Sequence, residues 1–223
     1  MALRCAKYQV APDRDLIRSK KREVFSMPGS HTLYKIVDIH YLGYDWVLLC
    51  SWENASDIPR KEKVTTNSGL RVKSGEQFFQ SLEVTSEYKG LEFSCKAEAE
   101  LSHKSFTERE TTLSRQFEEE FEVAAHTSIF LYQKVYHFRT DVWFQLNLPD
   151  RLYTVGRPQG DGIALCQSEA SIESEEFIQE KKELTGMRML EIETVERADV
   201  EGKVRRFDEC PEPCQSMLRK MGL

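Results

Sequence analysis

The sequence predicts a mostly β protein, an elongated antiparallel sheet or sandwich with long strands and one C-terminal helix near residues 174–185. Three observations predict this fold. Hydrophobic residues make up 40% of the 223 residues, which is enough for a globular core. Apolar and polar side chains alternate with period two over much of the stretch from residue 31 to residue 166. Gly, Pro and Asn clusters interrupt this alternation where turns are expected.

The first predicted strands lie in the N-terminal third. Residues 33–41 alternate and are rich in β-branched and aromatic types, which indicates a strand. Residues 46–52 form a short apolar run after Gly43, typical of a strand covered on both faces. A helical turn over residues 76–82 stays open as an alternative.

The clearest alternation begins after Gly90. Its apolar face consists of Leu91, Phe93, Cys95, Ala97, Ala99 and Leu101. The intervening side chains are Glu, Ser or Lys. Ala and Glu favour helices, but at helical spacing the large apolar residues would spread around the axis. The pattern therefore predicts one continuous strand over residues 91–101.

A second alternating run follows a polar stretch at residues 102–112. Its predicted inner face consists of Leu113, Arg115, Phe117, Glu119, Phe121 and Val123, and its other face is mostly Glu. Arg115 and Glu119 interrupt the apolar pattern.

Two apolar strands are predicted at residues 129–138 and 142–148, separated by a short polar segment. Tyr132, Tyr136 and Trp143 stand out among their aromatic residues. Such rings either pack into the core under a sheet face or form an aromatic surface toward a ligand or membrane. Both interpretations remain open at this point.

Charge order predicts the C-terminal helix at residues 174–185, with Ser174 or Ser171 as N-cap, acidic residues in its first turn and lysines near its end. Residues 189–195 indicate a final strand. The tail after Pro211 indicates a loop and a short helix.

No motif of a known catalytic, nucleotide-binding or metal site is present, and no histidine pairs with another at metal-ligand spacing. We therefore predict no enzyme activity, no cofactor and no metal. The remaining enzyme alternative is a dispersed site that places a Cys or His beside a carboxylate in a deep pocket. For Cys210 and Cys214, unpaired thiols are favoured over a local disulfide.

The net charge of −6 disfavours a nucleic-acid partner. The basic run from Arg18 to Arg22 is interpreted as a solvated face. The N-terminus lacks an apolar run of signal-peptide length. We expect cytosolic synthesis, or a form released to act on an external membrane.

The segment from Phe121 to Phe144 resembles a pattern in aerolysin-like β-pore-forming proteins: a Val before a small-residue turn and a Thr, a long alternating strand, then a short strand ending in an aromatic residue. The stretch from Gly75 to Gly90, followed by an alternating strand and a Ser/Thr/Glu-rich segment, also fits that family. The resemblance covers about residues 65–148.

This resemblance implies a pore-forming, cytolytic protein that oligomerises and inserts an amphipathic hairpin, about residues 91–123, into a target membrane. The implied membrane-inserting residues are Leu91, Phe93, Ala97, Ala99, Leu101, Leu113, Phe117 and Phe121. An eleven-residue strand matches the length of about 9 to 11 residues that spans a bilayer. Arg115 and Glu119 would both fall on the lipid side of the return strand, and an Arg near the midplane would cost about 2–4 kcal/mol. The alternative is a non-lytic β-sandwich module that binds carbohydrate or protein.

Three regions are expected. Residues 1–64 form an N-terminal β region for receptor or partner binding, residues 65–150 hold the long amphipathic strands, and residues 151–223 form the C-terminal region. The implied partners are the target membrane, further copies of the chain and a glycan or protein receptor.

Overall fold

The computed structural model describes residues 4–27, 29, 31–97, 100–148, 151–155, 166–198, 203–205 and 209–221. Within this part of the chain, twelve strands form one sheet and three short helices lie beside it. In chain order the elements are β1 (Arg4–Val10), β2 (Leu16–Met27), β3 (His31–Asn54), β4 (Arg60–Ser74), α1 (Glu76–Ser81), α2 (Thr85–Tyr88), β5 (Glu92–Ala97), β6 (Glu100–Ser105), β7 (Arg115–Val123), β8 (Thr127–Leu148), β9 (Arg151–Val155), β10 (Cys166–Glu180), β11 (Met187–Ile192), β12 (Lys203–Arg205) and α3 (Glu212–Lys220).

The main path through the sheet runs β6-β5-β11-β1-β3-β8-β10-β4-β7, while β2 pairs with β3, β9 with β8 and β12 with β9. All pairs are antiparallel except β1 with β11 and β9 with β12. The predicted mostly β, antiparallel fold class is confirmed. The sheet takes strands from all three predicted regions, and the separate roles assigned to those regions stay predictions.

Two very long strands, β3 and β8, form the spine of the sheet. They have 24 and 22 residues and pair from Thr32 with Asn147 to Asn54 with Thr127. At about 3.3 Å per residue, strands of this length extend for roughly 70–80 Å. The predicted elongated sheet with long strands is thereby confirmed.

The predicted breaks within these two strands are wrong. Residues 33–41 and 46–52 belong to one strand, because Gly43 sits at a β-bulge with φ of +126° rather than in a turn. Residues 129–138 and 142–148 are likewise continuous. The intervening polar residues Arg139 and Asp141 are held inside the sheet by ion pairs with Asp15 and His40, which sequence spacing could not reveal.

The main core is an aromatic cluster between the spine and the β5–β6 hairpin, which folds over one face of the spine. The Tyr41 and Phe93 ring centroids lie 4.3 Å apart, and those of Phe106 and Tyr136 lie 5.0 Å apart in an edge arrangement. Such pairs add to the stabilisation from burial alone. The hairpin is thereby attached to the spine mainly through side chains.

The predicted helix at residues 174–185 is wrong, because β10 occupies residues 166–180. From Cys166 to Ser174 every second side chain is buried, and the strand pairs with both β8 and β4. Within the predicted helix, residues 177–180 pair with residues 130–133 of β8, and this pairing overrides the helical charge order. The helical alternative at residues 76–82 is confirmed as α1, and the short C-terminal helix is confirmed as α3.

Candidate functional site

The segment 91–123, predicted to insert into a membrane, comprises β5, β6, a connecting segment and β7. The single strand predicted over residues 91–101 is wrong. Residues 92–97 instead pair with residues 100–105 in a tight hairpin, with Ala97 opposite Glu100. Each strand has only six residues. Ala99 lies outside the described residues.

The hairpin changes which side chains share a face, because paired residues in an antiparallel ladder point the same way. Leu91, Phe93 and Cys95 are buried, and Ala97 is half-buried against the same core, as the alternation predicts. Leu101 lies opposite Lys96 on the outer face, where 67% of its surface is exposed. The prediction that Leu101 shares the apolar face is therefore wrong in this state.

β7 keeps the predicted alternation. Phe117 and Phe121 are half-buried and pack against Phe177, with ring centroids 6.4 Å and 5.6 Å apart. Leu113, just before β7, is 61% exposed. The other face of β7 carries a row of glutamates, of which Glu120 accepts a 2.8 Å hydrogen bond from Lys61 on β4.

The ends of the sheet path both belong to this segment. Among the described strands, β6 pairs only with β5, and β7 pairs only with β4. β5 meets β11 at just two residue pairs, Glu191 with Lys96 and Ile192 with Cys95. Removing the segment would break the nine-pair ladder between β7 and β4 and the two pairs with β11, but it would leave the ladders that join β3, β8 and β10 in place.

A group of charges fixes β6 to the spine, and we call Lys104, Glu110, Lys134, Tyr136 and Glu176 the Glu176 cluster. The Glu176 carboxylate accepts hydrogen bonds from Lys104 Nζ at 2.7 Å, Lys134 Nζ at 3.2 Å and the Tyr136 hydroxyl at 2.7 Å. Lys104 also lies 3.3 Å from Glu110. Only 17% of the Lys104 side chain is exposed, so this is a largely buried ion pair.

The contacts within the Glu176 cluster shift the pKa of the Glu176 carboxyl. Burial by itself would raise the pKa of the Glu176 carboxyl, but the hydrogen bond from Lys104, the charge of Lys134 and the hydrogen bond from Tyr136 lower the pKa overall. The same lysines lie over aromatic rings: Lys104 Nζ is 4.6 Å from the Phe106 centroid, and Lys134 Nζ is 4.3 Å from the Tyr44 centroid. Charge and aromatic packing therefore hold β6 at one location.

Sequence reasoning missed this cluster. Glu176 was placed in a helix, and Lys104 fell in a stretch interpreted only as polar. The available signal was Lys104 two residues before Phe106, on the same face of β6 as Ser102 and Glu100. The partner on β10 could not be found, because a register shift between Glu173 and Phe177 turns Glu176 inward.

A second buried charge network lies on the opposite face of the spine. His40 Nδ1 is 2.7 Å from Asp15 and its Nε2 is 3.3 Å from Asp141, while Arg139 lies 3.5 Å from each carboxylate. Burial alone would lower the pKa of His40, but the hydrogen bonds to Asp141 and Asp15 raise it overall. The network has a structural role, because it holds polar residues inside two long strands.

The predicted aromatic surface is absent. Tyr132, Tyr136 and Trp143 are all buried. The Tyr132 hydroxyl accepts a hydrogen bond from the Leu184 amide, and the Arg197 guanidinium lies 5.1 Å from the Trp143 ring centroid. Core packing, the first of the two interpretations, accounts for these rings.

A polar groove of about 640 Å³ crosses the outer face of the sheet. His137 in this groove lies 3.2 Å from Asp45 and 2.9 Å from Lys73, so a histidine does lie beside a carboxylate. No cysteine is among the residues that line the groove.

The cysteines elsewhere in the sheet bear on the alternative of a dispersed enzyme site. Burial raises the pKa of both the Cys50 and Cys166 thiols to about 11, which disfavours the reactive thiolate.

Within the residues that the structure describes, no group of His, Cys, Asp and Glu side chains is arranged to hold a metal ion. The helices of the same described part are too short or too polar to cross a bilayer.

No protein-family model matches the sequence, and no curated protein matches it. Two solved toxins are similar in structure. The oligomeric pore-forming toxin pro-Monalysin has 9% identity and a TM-score of 0.35, over 81% of this chain and 72% of its own. Parasporin-2, a Bacillus thuringiensis toxin that recognizes cancer cells, has 14% identity and a TM-score of 0.17, over 67% of this chain and 74% of its own. Both TM-scores lie below 0.5, and neither similarity assigns this chain to a family.

Proposed function

We propose that this chain is a β-pore-forming, cytolytic protein that oligomerises and inserts residues 91–123 into a target membrane as an amphipathic hairpin. One observation carries the proposal: this alternating segment forms both ends of the sheet path, so none of the ladders that join β3, β8 and β10 passes through it. The target membrane and a glycan or protein receptor are part of the proposal.

Insertion requires the segment to change its pairing. In the described state, residues 92–97 pair with residues 100–105. In the membrane, the β5–β6 turn opens, residues 91–101 become one strand, and this strand pairs with residues 113–123. Extension returns Leu101 to the face of Phe93, because residues an even number apart share a face of a strand. Two eleven-residue strands then match the bilayer requirement.

Such an exchange keeps the apolar side chains of the segment buried, while Tyr41 and Tyr136, the core partners of Phe93, must be covered again in the inserted state. Leu91 and Phe93 move from an apolar core into hydrocarbon, so their burial is retained. The polar face and the strand edges must be satisfied by water and by neighbouring hairpins, which requires several copies in a closed ring.

Two charged residues lie on the lipid face of the proposed strand 113–123. Arg115 is two residues from one end, where an arginine costs less than the about 2–4 kcal/mol that it costs at the midplane. Glu119 lies near the middle, where a smaller cost remains.

A single substitution tests whether the hairpin opens. Cys95 Sγ lies 3.2 Å from Ser102 Oγ in the adjacent strand, so Ser102→Cys places two sulfurs within bonding reach across β5 and β6. The measurement is dye release from phosphatidylcholine vesicles with and without phosphatidylserine, and lysis of erythrocytes. We expect the reduced variant to permeabilise membranes like wild type and the oxidised variant to lose activity.

Ser102→Ala is the matched control, since it removes the same hydroxyl but cannot crosslink, and it should be active with or without oxidant. Equal activity of the oxidised and reduced Ser102→Cys forms would show that the β5–β6 pairing persists in the pore. Absence of release by wild type from every membrane would contradict pore formation itself.

The alternative is a non-lytic module that binds carbohydrate or protein through exposed aromatic residues of two strands, and these residues are not exposed. Tyr132, Tyr136 and Trp143 are buried. We therefore put forward one function.

A further inference from the structure

We infer that β2 of one molecule pairs with β7 of a second copy, so that copies of this chain join head to tail. Both strands have an edge with no strand partner among the described residues. At the start of β2 this edge is partly covered, because the Val195 amide donates to the Leu16 carbonyl at 3.1 Å and the Ala198 amide donates to Ser19 Oγ at 2.8 Å. The stretch from Lys20 onward is therefore the one available for pairing. β2 has twelve residues and pairs only with β3, and β7 has nine residues and pairs only with β4, among the strands described. Free edges of this length are templates for pairing with another chain.

The two edges carry opposite charge. β2 contains four basic residues, Arg18, Lys20, Lys21 and Arg22, and one acidic residue, Glu23. β7 contains four acidic residues, Glu118, Glu119, Glu120 and Glu122, and one basic residue, Arg115. Side chains directly opposite on paired strands lie about 5 Å apart, so an added strand would experience these charges at short range.

Charge therefore selects one arrangement of copies. Pairing β2 with β2, or β7 with β7, in a two-fold dimer would place like charges opposite each other, which is destabilising. Pairing β2 with β7 places opposite charges together. Since this contact joins two different surfaces, it repeats from copy to copy and closes into a ring when the rotation permits.

Some of these charges already have partners within the molecule. The buried Glu87 carboxylate lies 3.2 Å from Arg22 and 3.9 Å from Lys20, and the Arg18 guanidinium donates to the Glu87 and Lys89 carbonyls. Lys21 is exposed and lies over the Tyr34 ring. We assign most of the attraction on the β2 side to Lys20 and Lys21.

On the β7 side, the Lys61 partner of Glu120 partly neutralises the row of glutamates. Glu118 and Glu119 are exposed. The inference goes beyond the proposed function, because the contact needs no membrane and forms between folded molecules.

The test uses two variants that each disable one edge. Lys20→Gln/Lys21→Glu removes the basic excess of β2; it gives up the 3.9 Å contact between Lys20 and Glu87 and keeps the closer 3.2 Å contact between Arg22 and Glu87. Glu118→Lys/Glu119→Lys removes the acidic excess of β7 and keeps the Lys61–Glu120 pair. Sedimentation velocity at low ionic strength measures assembly, and circular dichroism checks that each variant is folded.

We expect wild type to form oligomers larger than dimers, with weaker association at high salt because the interface is electrostatic. Each variant alone should associate with at least about a tenfold higher dissociation constant. An equimolar mixture should form one-to-one dimers and nothing larger, because one native pair of edges remains. Lys181→Gln/Lys182→Glu makes the same charge change away from both edges and should assemble like wild type.

Three results would overturn the inference: a wild type that stays monomeric at low ionic strength, variants that assemble like wild type, or a mixture that forms no dimers. These outcomes are independent of dye release, so failure of head-to-tail pairing and failure of pore formation are distinguishable.

Discussion

Glu176 is the residue on which the attachment of β6 depends most. Its carboxylate binds two ammonium groups and a phenol at the junction of β6, β8 and β10. Sequence alone identified the inward side chains Phe93, Cys95, Phe117 and Phe121 correctly, because alternation within one strand is local. It could not identify Glu176, whose orientation depends on a register shift against β8.

Replacing Glu176 with Gln should destabilise the protein. The change leaves Lys104 and Lys134 without their shared counter-ion, which is costly when the ammonium groups are largely buried. Since 39% of the Glu176 side chain is exposed, solvent screening limits the loss to about 1–2 kcal/mol. Urea unfolding measures it. Glu120→Gln, at the exposed Lys61–Glu120 pair, is the control and should have a much smaller effect.

We also expect the difference in unfolding free energy between wild type and Glu176→Gln to depend on pH. The Glu176 pKa is lowered below its usual value of 4.5, so its contribution to stability is complete above that pH and is lost as pH falls through the lowered pKa. The difference in unfolding free energy between wild type and Glu176→Gln should shrink below about pH 4.5. A difference that stays constant down to pH 3, or grows, would show that the carboxylate is not responsible.

At the scale of elements, the sequence predicted individual strands well, but it did not predict where the chain reverses or which strands pair. The residue pattern correctly placed strands at residues 33–41 and 129–138, but the sequence between Ala97 and Glu100 contains no Gly or Pro, so it did not predict that these two residues pair. Residues 174–185 have the charge order of a helix, but those up to Glu180 form a strand because residues 177–180 pair with β8. Pairing with distant strands is not encoded in local spacing.

Gly43 fixes the register of β1 on the spine, and Gly43→Ala should disrupt it. A methyl group there would overlap the Tyr8 carbonyl oxygen, and φ of +126° disfavours any side chain. We expect a loss of about 3 kcal/mol in urea unfolding, from backbone strain and displacement of β1.

Gly90→Ala is the control for Gly43→Ala. Gly90 also has positive φ, at +59°, but nothing lies near the added methyl group, so strain alone should cost about 1 kcal/mol. Equal losses in the two variants would mean that contact with β1 contributes nothing.

For the whole molecule, the arrangement separates a fixed part from a removable one. Long ladders join β3, β8 and β10, whereas residues 92–123 supply both ends of the sheet path and contribute Phe93 and Phe106 to the aromatic core. Composition and alternation were sufficient to predict an elongated β protein. They could not show that residues 91–101 and 113–123 lie apart in this state. β5 pairs with β6 and β11, and β7 pairs with β4, and none of these pairings follows from composition or alternation.

The most direct test of the central claim, that residues 91–123 change their pairing and enter the membrane, is site-specific labelling with an environment-sensitive dye. Single cysteines at positions 96, 97, 100 and 101 are labelled, with dye-treated wild type as the baseline for native thiols. In the described state, Ala97 shares a face with Glu100, and Lys96 shares a face with Leu101. On membranes, we predict that labels at 97 and 101 move into an apolar environment together while labels at 96 and 100 stay in water. If 97 instead continues to behave like 100, and 96 like 101, after membrane binding, the hairpin has not opened and the claim is contradicted.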